Sequence, residues 1–180
     1  MNYTVKSILV VLVIFVVAAC TKEKAEIEWS SKNVDIDIPG SFCYDSLQAN
    51  CDRYGRLYTW EAATNVCSYL GKGWRLPEQD DWRELAKKYG GVFNDPASDG
   101  KGAFVALMEG GESQFNALLG GGKGTDNFRR IEAHGFYWTN TSVNDTTAWF
   151  INFGKGRPAL FLQNDGEKRD AFSVRCVKDK

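Results

Sequence analysis

The stretch TWEAATNVCSYLGKGWRLPEQDDWRELAKKY, residues 59–89, decides the fold class. Its first part reads as a helix opening at Thr59, whose hydroxyl can accept from the first free amides, with Glu61 in the first turn where the helix dipole favours an acid. Trp60, Ala63, Cys67 and Leu70 then share one face at helical spacing, and Gly71 stops the run. A second helix is expected over PEQDDWRELAKKY, with Pro77 in the first turn, Glu78, Asp80 and Asp81 at the positive end and Lys87 and Lys88 at the negative end. Trp82, Leu85, Ala86 and Tyr89 follow the i, i+3, i+4, i+7 pattern of a core-facing stripe. Adjacent residues diverge around a helix, and a helix N-terminus lowers a carboxylate pKa, so these acids cap the helix rather than form an acid–base pair. Trp74, Leu76 and Trp82 are core candidates. Arg75 is expected to be tied to a carboxylate or to loop carbonyls, holding the late loops in place.

Downstream, residues 90–127 are dominated by glycine. Short helical turns are possible at AFVALM and FNALL, while GGGKG at 120–124 suggests a long mobile loop. Lys123 is followed by glycine rather than Ser or Thr, so this is not a nucleotide-binding loop. GFYWTN, TAWFINF, PALFLQ and AFSVRCV follow, rich in aromatic and β-branched residues and separated by turn residues, and read as strands. Helices first and an antiparallel sheet afterwards make an α+β layout, with two helices on a small twisted sheet and long Gly-rich loops.

Upstream, NVDIDIP alternates Val34, Ile36 and Ile38 with Asp35 and Asp37, the pattern of a half-buried strand. The N-terminus carries Lys6 and an unbroken apolar run from Ile8 to Ala19. At about 1.5 Å per residue that run covers roughly 18 Å, short of a ~30 Å hydrocarbon core, so it reads as a signal-peptide core. Its end, VAAC, resembles a bacterial lipobox. Residues 1–19 would then be a signal peptide, Cys20 the lipidated (palmitate-bearing) first residue, 20–31 a charged tether and 32–180 the domain. Several acyl chains bury enough methylenes for stable anchoring. Thr21 is not the aspartate that retains many lipoproteins at the inner membrane, which favours the cell outer membrane.

The formal net charge of -1 and pI near 5.9 leave no basic field for nucleic acid. Without Cys20, Cys43, Cys51, Cys67 and Cys176 remain, an even number in an oxidising compartment, so two disulfides are expected. Four cysteines allow three connectivities. One of them, Cys43 with Cys51 and Cys67 with Cys176, closes a small loop and a loop spanning most of the domain. No CxxC occurs and His134 is the single histidine, so no metal site is expected. A serine triad would need His134, which sits in EAHGF with no nucleophile motif, so it reads as a satisfied or solvated loop residue.

YTWEAATNVCSYLGKGWRLPEQDDWREL, the late YWTNTS and AWFINF, and the terminal FSVRCVKD resemble the Fibrobacter succinogenes major paralogous domain, found in envelope lipoproteins of Bacteroidetes and Fibrobacteres. The likeness runs from about Tyr54 to Asp179. It implies a C-type lectin-like fold, shared with formylglycine-generating enzymes and the variable proteins of diversity-generating retroelements. It also implies that Cys67 bridges to Cys176 in the last strand, and Cys43–Cys51 resembles the extra hairpin bridge of long-form lectin domains. The sugar motifs of calcium lectins are absent, with PEQD and WTN in their place. The formylglycine reaction needs reactive cysteines, and every cysteine after Cys20 has a structural assignment.

By that resemblance ligands meet the long loops and adjoining strands, here Trp138, Asn140, Asn144, Asp145, Trp149, Asn152, Arg157 and Asn164. Aromatic faces beside amides suit a glycan or a protein. Asn140, Asn144 and Asp145 also offer the oxygen donors that calcium takes, without a fixed loop pattern. The expected function is an envelope lipoprotein that displays a non-catalytic, ligand-binding domain. The alternatives are a formylglycine-generating-type enzyme and a structural envelope component.

Overall fold

The computed structural model describes residues 26–93 and 95–180. The apolar leader and Cys20, with the lipid attachment expected there, lie outside the described residues. Along the chain run β1 (Ile27–Trp29), β2 (Ser41–Phe42), α1 (Gln48–Tyr54), β3 (Leu57–Thr59), α2 (Trp60–Val66), β4 (Trp74–Arg75), α3 (Gln79–Lys87) and α4 (Lys101–Leu107). Then come β5 (Gly122–Lys123), β6 (Phe128–Arg129), β7 (His134–Ser142), β8 (Thr147–Gly154), β9 (Ala159–Glu167), β10 (Ala171–Ser173) and β11 (Val177–Asp179). The architecture is α+β, and it holds two sheets rather than one. The larger has the order β2-β3-β10-β7-β8-β9, with β5 and β6 attached beside β10; the smaller has the order β1-β11-β4. All pairs are antiparallel except β10 with β7.

Strict alternation along β7 and β8 sends Phe136, Trp138, Ala148 and Phe150 to one face of the sheet and Tyr137, Ile151 and Phe153 to the other. The first set packs with α2 residues Ala62, Ala63 and Val66, and the second with Trp82 and Ala86 of α3 and Ala103 and Leu107 of α4. Layers on both faces explain why these strands are aromatic throughout, and each fully buried large side chain contributes roughly 1.5–3 kcal/mol. Two disulfides, Cys43–Cys51 and Cys67–Cys176, join the pairs implied by the resemblance.

Several expectations are corrected. Ile27–Trp29 pairs with Val177–Asp179, so the tether expected over 20–31 gives way to a strand within its span. Residues 33–38 keep the alternating burial of a strand but form no ladder; the Val34 amide donates to Val174 O and the Ile36 amide to the Tyr58 hydroxyl. Thr59 does cap α2, accepting from the Ala62 amide, but the last turn tightens to a 3-10 helix at Cys67–Leu70, which turns Leu70 outward to 40% exposure. Pro77 precedes α3 instead of opening it, because Glu78 is the N-cap and forms a reciprocal capping box with Asp81. FNALL is irregular, with Asn116, and Gln114 just before the stretch, at positive φ. GGGKG is not a loose loop: Gly122–Lys123 pairs with Phe128–Arg129 and Lys123 with Ala171. At Gly122 a Cβ would stand 3.0 Å from Phe172 and 3.1 Å from Phe136, so the glycine is there for close packing. AFSVRCV is two strands, broken where the chain crosses from one sheet to the other through Val174–Cys176.

Candidate binding face

At the end of the large sheet farthest along β8 from the hairpin, the face that packs on α2 carries polar side chains. His134, Asn152 and Gln163, one from each of β7, β8 and β9, form a continuous hydrogen-bonded row. Its polarity is set at one end, because a guanidinium can only donate. Arg130 Nη1 stands 3.2 Å from His134 Nε2, which therefore accepts; His134 Nδ1 carries the proton and donates to Asn152 Oδ1 at 2.9 Å. Asn152 Nδ2 then donates to Gln163 Oε1 at 2.7 Å. The Gln163 Nε2 group has no acceptor among the described residues, which leaves an oriented pair of amide donors at the end of the row. His134 also stacks on Phe136, with ring centroids 5.3 Å apart.

Beside the row lies a pocket of about 240 Å³ whose floor is Phe136, Phe150 and Phe172 and whose rim is Arg129, Arg130, Asp165 and Asp170. Gly166 forms part of its wall, and a Cβ there would stand 2.7 Å from Trp138 and 2.8 Å from Phe150. The pocket shares Arg129, Asp165 and Asp170 with a shallower depression of about 370 Å³ that reaches Gly124 and Thr125. Arg129 pairs with Asp170. Burial pushes the Asp170 carboxyl above its ordinary range, and the opposing pull of the Arg129 charge and hydrogen bond does not cancel the shift. The Asp165 carboxylate has no partner among the described residues. An aromatic floor ringed by charges of both signs can seat a ring or an apolar side chain while bonding its polar edge.

The residues expected to meet a ligand are divided by the structure. Asn152 lies within the row. Arg157 lies off one end of it, its guanidinium 4.2 Å above the Phe93 ring and 5.4 Å from Phe161, and Asn164 is exposed on β9. Trp138 is corrected to a core residue: it is fully buried, and its indole N–H donates to Tyr58 O at 2.8 Å. Trp149 is half-buried against the other cluster. Asn140, Asn144 and Asp145 sit at the far end, at the β7–β8 hairpin. There Asn144 Oδ1 accepts from the Thr146 and Thr147 backbone amides and holds the turn, while Asn140 Nδ2 donates to the Glu78 side chain, Oε1, at 2.8 Å. Asp145 is exposed, and no group of three or more His, Cys, Asp or Glu among the described residues could hold a metal ion. His134, Gln163, Arg130 and Asp165 were not singled out as ligand contacts. Alternation alone puts His134 on the Phe136 face, but joining it to Asn152 and Gln163 requires the register of two strand pairs.

The family model of the Fibrobacter succinogenes major domain matches residues 18–178. The chain belongs to this family. No curated protein and no solved structure matches it. Within this major domain the segments that carry the likeness, α2 through α3 and the strands β7, β8 and β11, are those that build the two-layered core. The polar row and the pocket share β7 and β8 with these segments and add β9.

Proposed function

We propose that the protein is an envelope-anchored lipoprotein whose major domain, of C-type lectin-like fold, is non-catalytic and binds a glycan or protein ligand on the open face of β7–β9. The observation that carries this reading is the row from Arg130 to Gln163, which ends in oriented, unused amide donors beside an aromatic-floored pocket. Amide donors fixed by neighbours lose little freedom on binding, which is what a recognition surface needs. The anchor is read from the lipobox-like VAAC and Cys20. Chemistry of the formylglycine type is disfavoured because Cys43, Cys51, Cys67 and Cys176 are all in disulfides.

The test is a binding screen of the full detergent-solubilised chain against arrayed polysaccharides and purified envelope proteins, in parallel with Gln163→Ala and Asn152→Leu variants. A saturable ligand whose affinity falls at least tenfold in both variants supports the reading. Absence of any saturable ligand, or a ligand bound equally by both variants, sinks it.

A further inference from the structure

Arg175 lies between β10 and β11 and is 1% exposed. Its Nε donates to Asn33 Oδ1 at 2.8 Å and its Nη1 to Ser30 O at 2.6 Å. Its Nη2 donates to Phe115 O and Asn116 O, at 2.8 and 3.1 Å. A guanidinium carries five N–H groups, so one remains on Nη1 with no acceptor among the described residues. Every acceptor is neutral, and no carboxylate pairs with Arg175 among the described residues. The Phe115 ring, 4.5 Å from the guanidinium carbon, gives some cation–π compensation. A buried charge held only by dipoles remains uncompensated, and burial lowers the pKa of this group below that of an ordinary arginine.

Arg175 also forms part of the wall of a cavity of about 610 Å³, a volume that suits a small molecule. Lys32, Asn33, Tyr54 and Leu118 line it, and it shares no residue with the pocket on β7–β9. Three acids also lie on its wall, two of them paired: Glu109 with Arg53 at 2.6 Å and Asp35 with Arg56 at 3.3 Å. The third, Asp52, accepts from the Gln48 amide. Arg56 is shared with Asp37 at 3.0 Å, so the wall balances Lys32, Arg53 and Arg175 against Asp35, Asp52 and Glu109; within it Arg175 and Lys32 are the cations that no carboxylate pairs among the described residues.

We propose that this cavity binds a small molecule bearing one carboxylate, of the size of a hexuronic acid, with the carboxylate between Arg175 and Lys32. A single carboxylate would give Arg175 and Lys32 the ionic partner they lack, whereas a dianion would be repelled by Asp52 and the paired acids beside it. The Tyr54 ring and Leu118 offer apolar surface for the body of the ligand.

The test is a ¹H–¹⁵N NMR titration of the full chain in detergent with sodium glucuronate, glucose and sodium sulfate, repeated on Lys32→Glu and Arg175→Lys. The expected result is saturable shifts with glucuronate at the amides of Asn33, Gly55 and Leu118, no saturation with glucose and weaker binding of sulfate. Lys32→Glu, on an exposed side chain that leaves the fold intact, should raise the glucuronate dissociation constant at least tenfold even if Arg175→Lys does not fold. No saturation by glucuronate, equal binding of glucose, tighter binding of sulfate, or unchanged affinity in Lys32→Glu would each overturn the proposal.

Discussion

Arg75 Nη1 lies 2.6 Å from Oδ2 of Asp81, a carboxylate only 2% exposed, and the same oxygen accepts the Glu78 amide at 2.9 Å. The second guanidinium nitrogen reaches Asp179 Oδ1 at 3.1 Å on β11, so one side chain ties the start of α3 to the last strand. Burial alone would lower the Arg75 pKa, but the hydrogen bonds and charges of Asp81 and Asp179 outweigh it and raise the group. Removing the arginine takes the guanidinium away from a buried carboxylate that keeps the Glu78 amide. Breaking a fully buried pair costs about 3–5 kcal/mol; with Arg75 itself partly exposed, Arg75→Ala should cost about 2 kcal/mol and lower Tm by roughly 4–8 °C. An unchanged melting curve would mean that the pair contributes nothing to the joint.

The two disulfides should differ in what they contribute. Cys67–Cys176 spans 109 residues and Cys43–Cys51 spans 8. By loop entropy the first restricts the unfolded chain by about 5 kcal/mol and the second by about 2.5 kcal/mol. Urea unfolding of Cys67→Ser/Cys176→Ser should show the larger loss; equal losses in the two double variants would contradict the loop-entropy account.

Gly166 stands where Trp138 and Phe150 close over the sheet. The Cβ of Gly166→Ala would lie 2.7 Å from Trp138 and 2.8 Å from Phe150, and both rings are held by further aromatic neighbours. Overpacking of this kind costs about 1–3 kcal/mol. A near-UV circular dichroism spectrum changed in the tryptophan region, together with a lower urea midpoint, is the expected outcome; an unperturbed spectrum at unchanged stability would show that the pocket wall yields freely.

Asp170 gives the pocket a pH signature. Its folded pKa is raised by burial, so the folded state holds its proton more tightly than the unfolded state does. The stability it contributes is fully present below the unfolded carboxylate pKa, near 4, and is lost as pH rises through the folded value. Across that window wild type should gain relative to Asp170→Asn as pH falls. Urea unfolding of both proteins in a pH series measures this, and a difference that stays flat or moves the other way refutes it.

What could be read in the sequence was periodicity, and what could not was register. The α2–α3 joint and the first three late strands follow from 3.6- and 2-residue patterns that any core imposes, and they emerge within a few residues of their expected places, while the fourth is split between two sheets. Pro77 was misplaced because the Glu78–Asp81 capping box, a matter of side-chain geometry, set the helix start two residues later, at Gln79. Trp138 looked like a ligand contact because a strand buried on both faces has no polar side to reveal which tryptophan is internal. The glycines at 120–124 looked like slack; they are close-packed, which only the positions of Phe136 and Phe172 disclose. The polar row needed three strands aligned at once, information that no local pattern carries.

That row makes a prediction that requires no ligand. His134 receives a hydrogen bond at Nε2 from Arg130 and gives one at Nδ1 to Asn152, so its proton should reside on Nδ1 in the neutral ring. Long-range ¹H–¹⁵N correlation spectra above pH 8 distinguish the two tautomers directly. Wild type should show the Nδ1–H form. Asn152→Leu, which replaces the acceptor by a methyl-ended side chain of similar volume, should shift the population toward Nε2–H and release Arg130. The bonds lost are partly exposed, so the accompanying change in stability should stay near 1 kcal/mol. If wild type instead carries the proton on Nε2, the polarity of the row is reversed, Gln163 presents a different edge, and the donor-based account of the binding face fails with it.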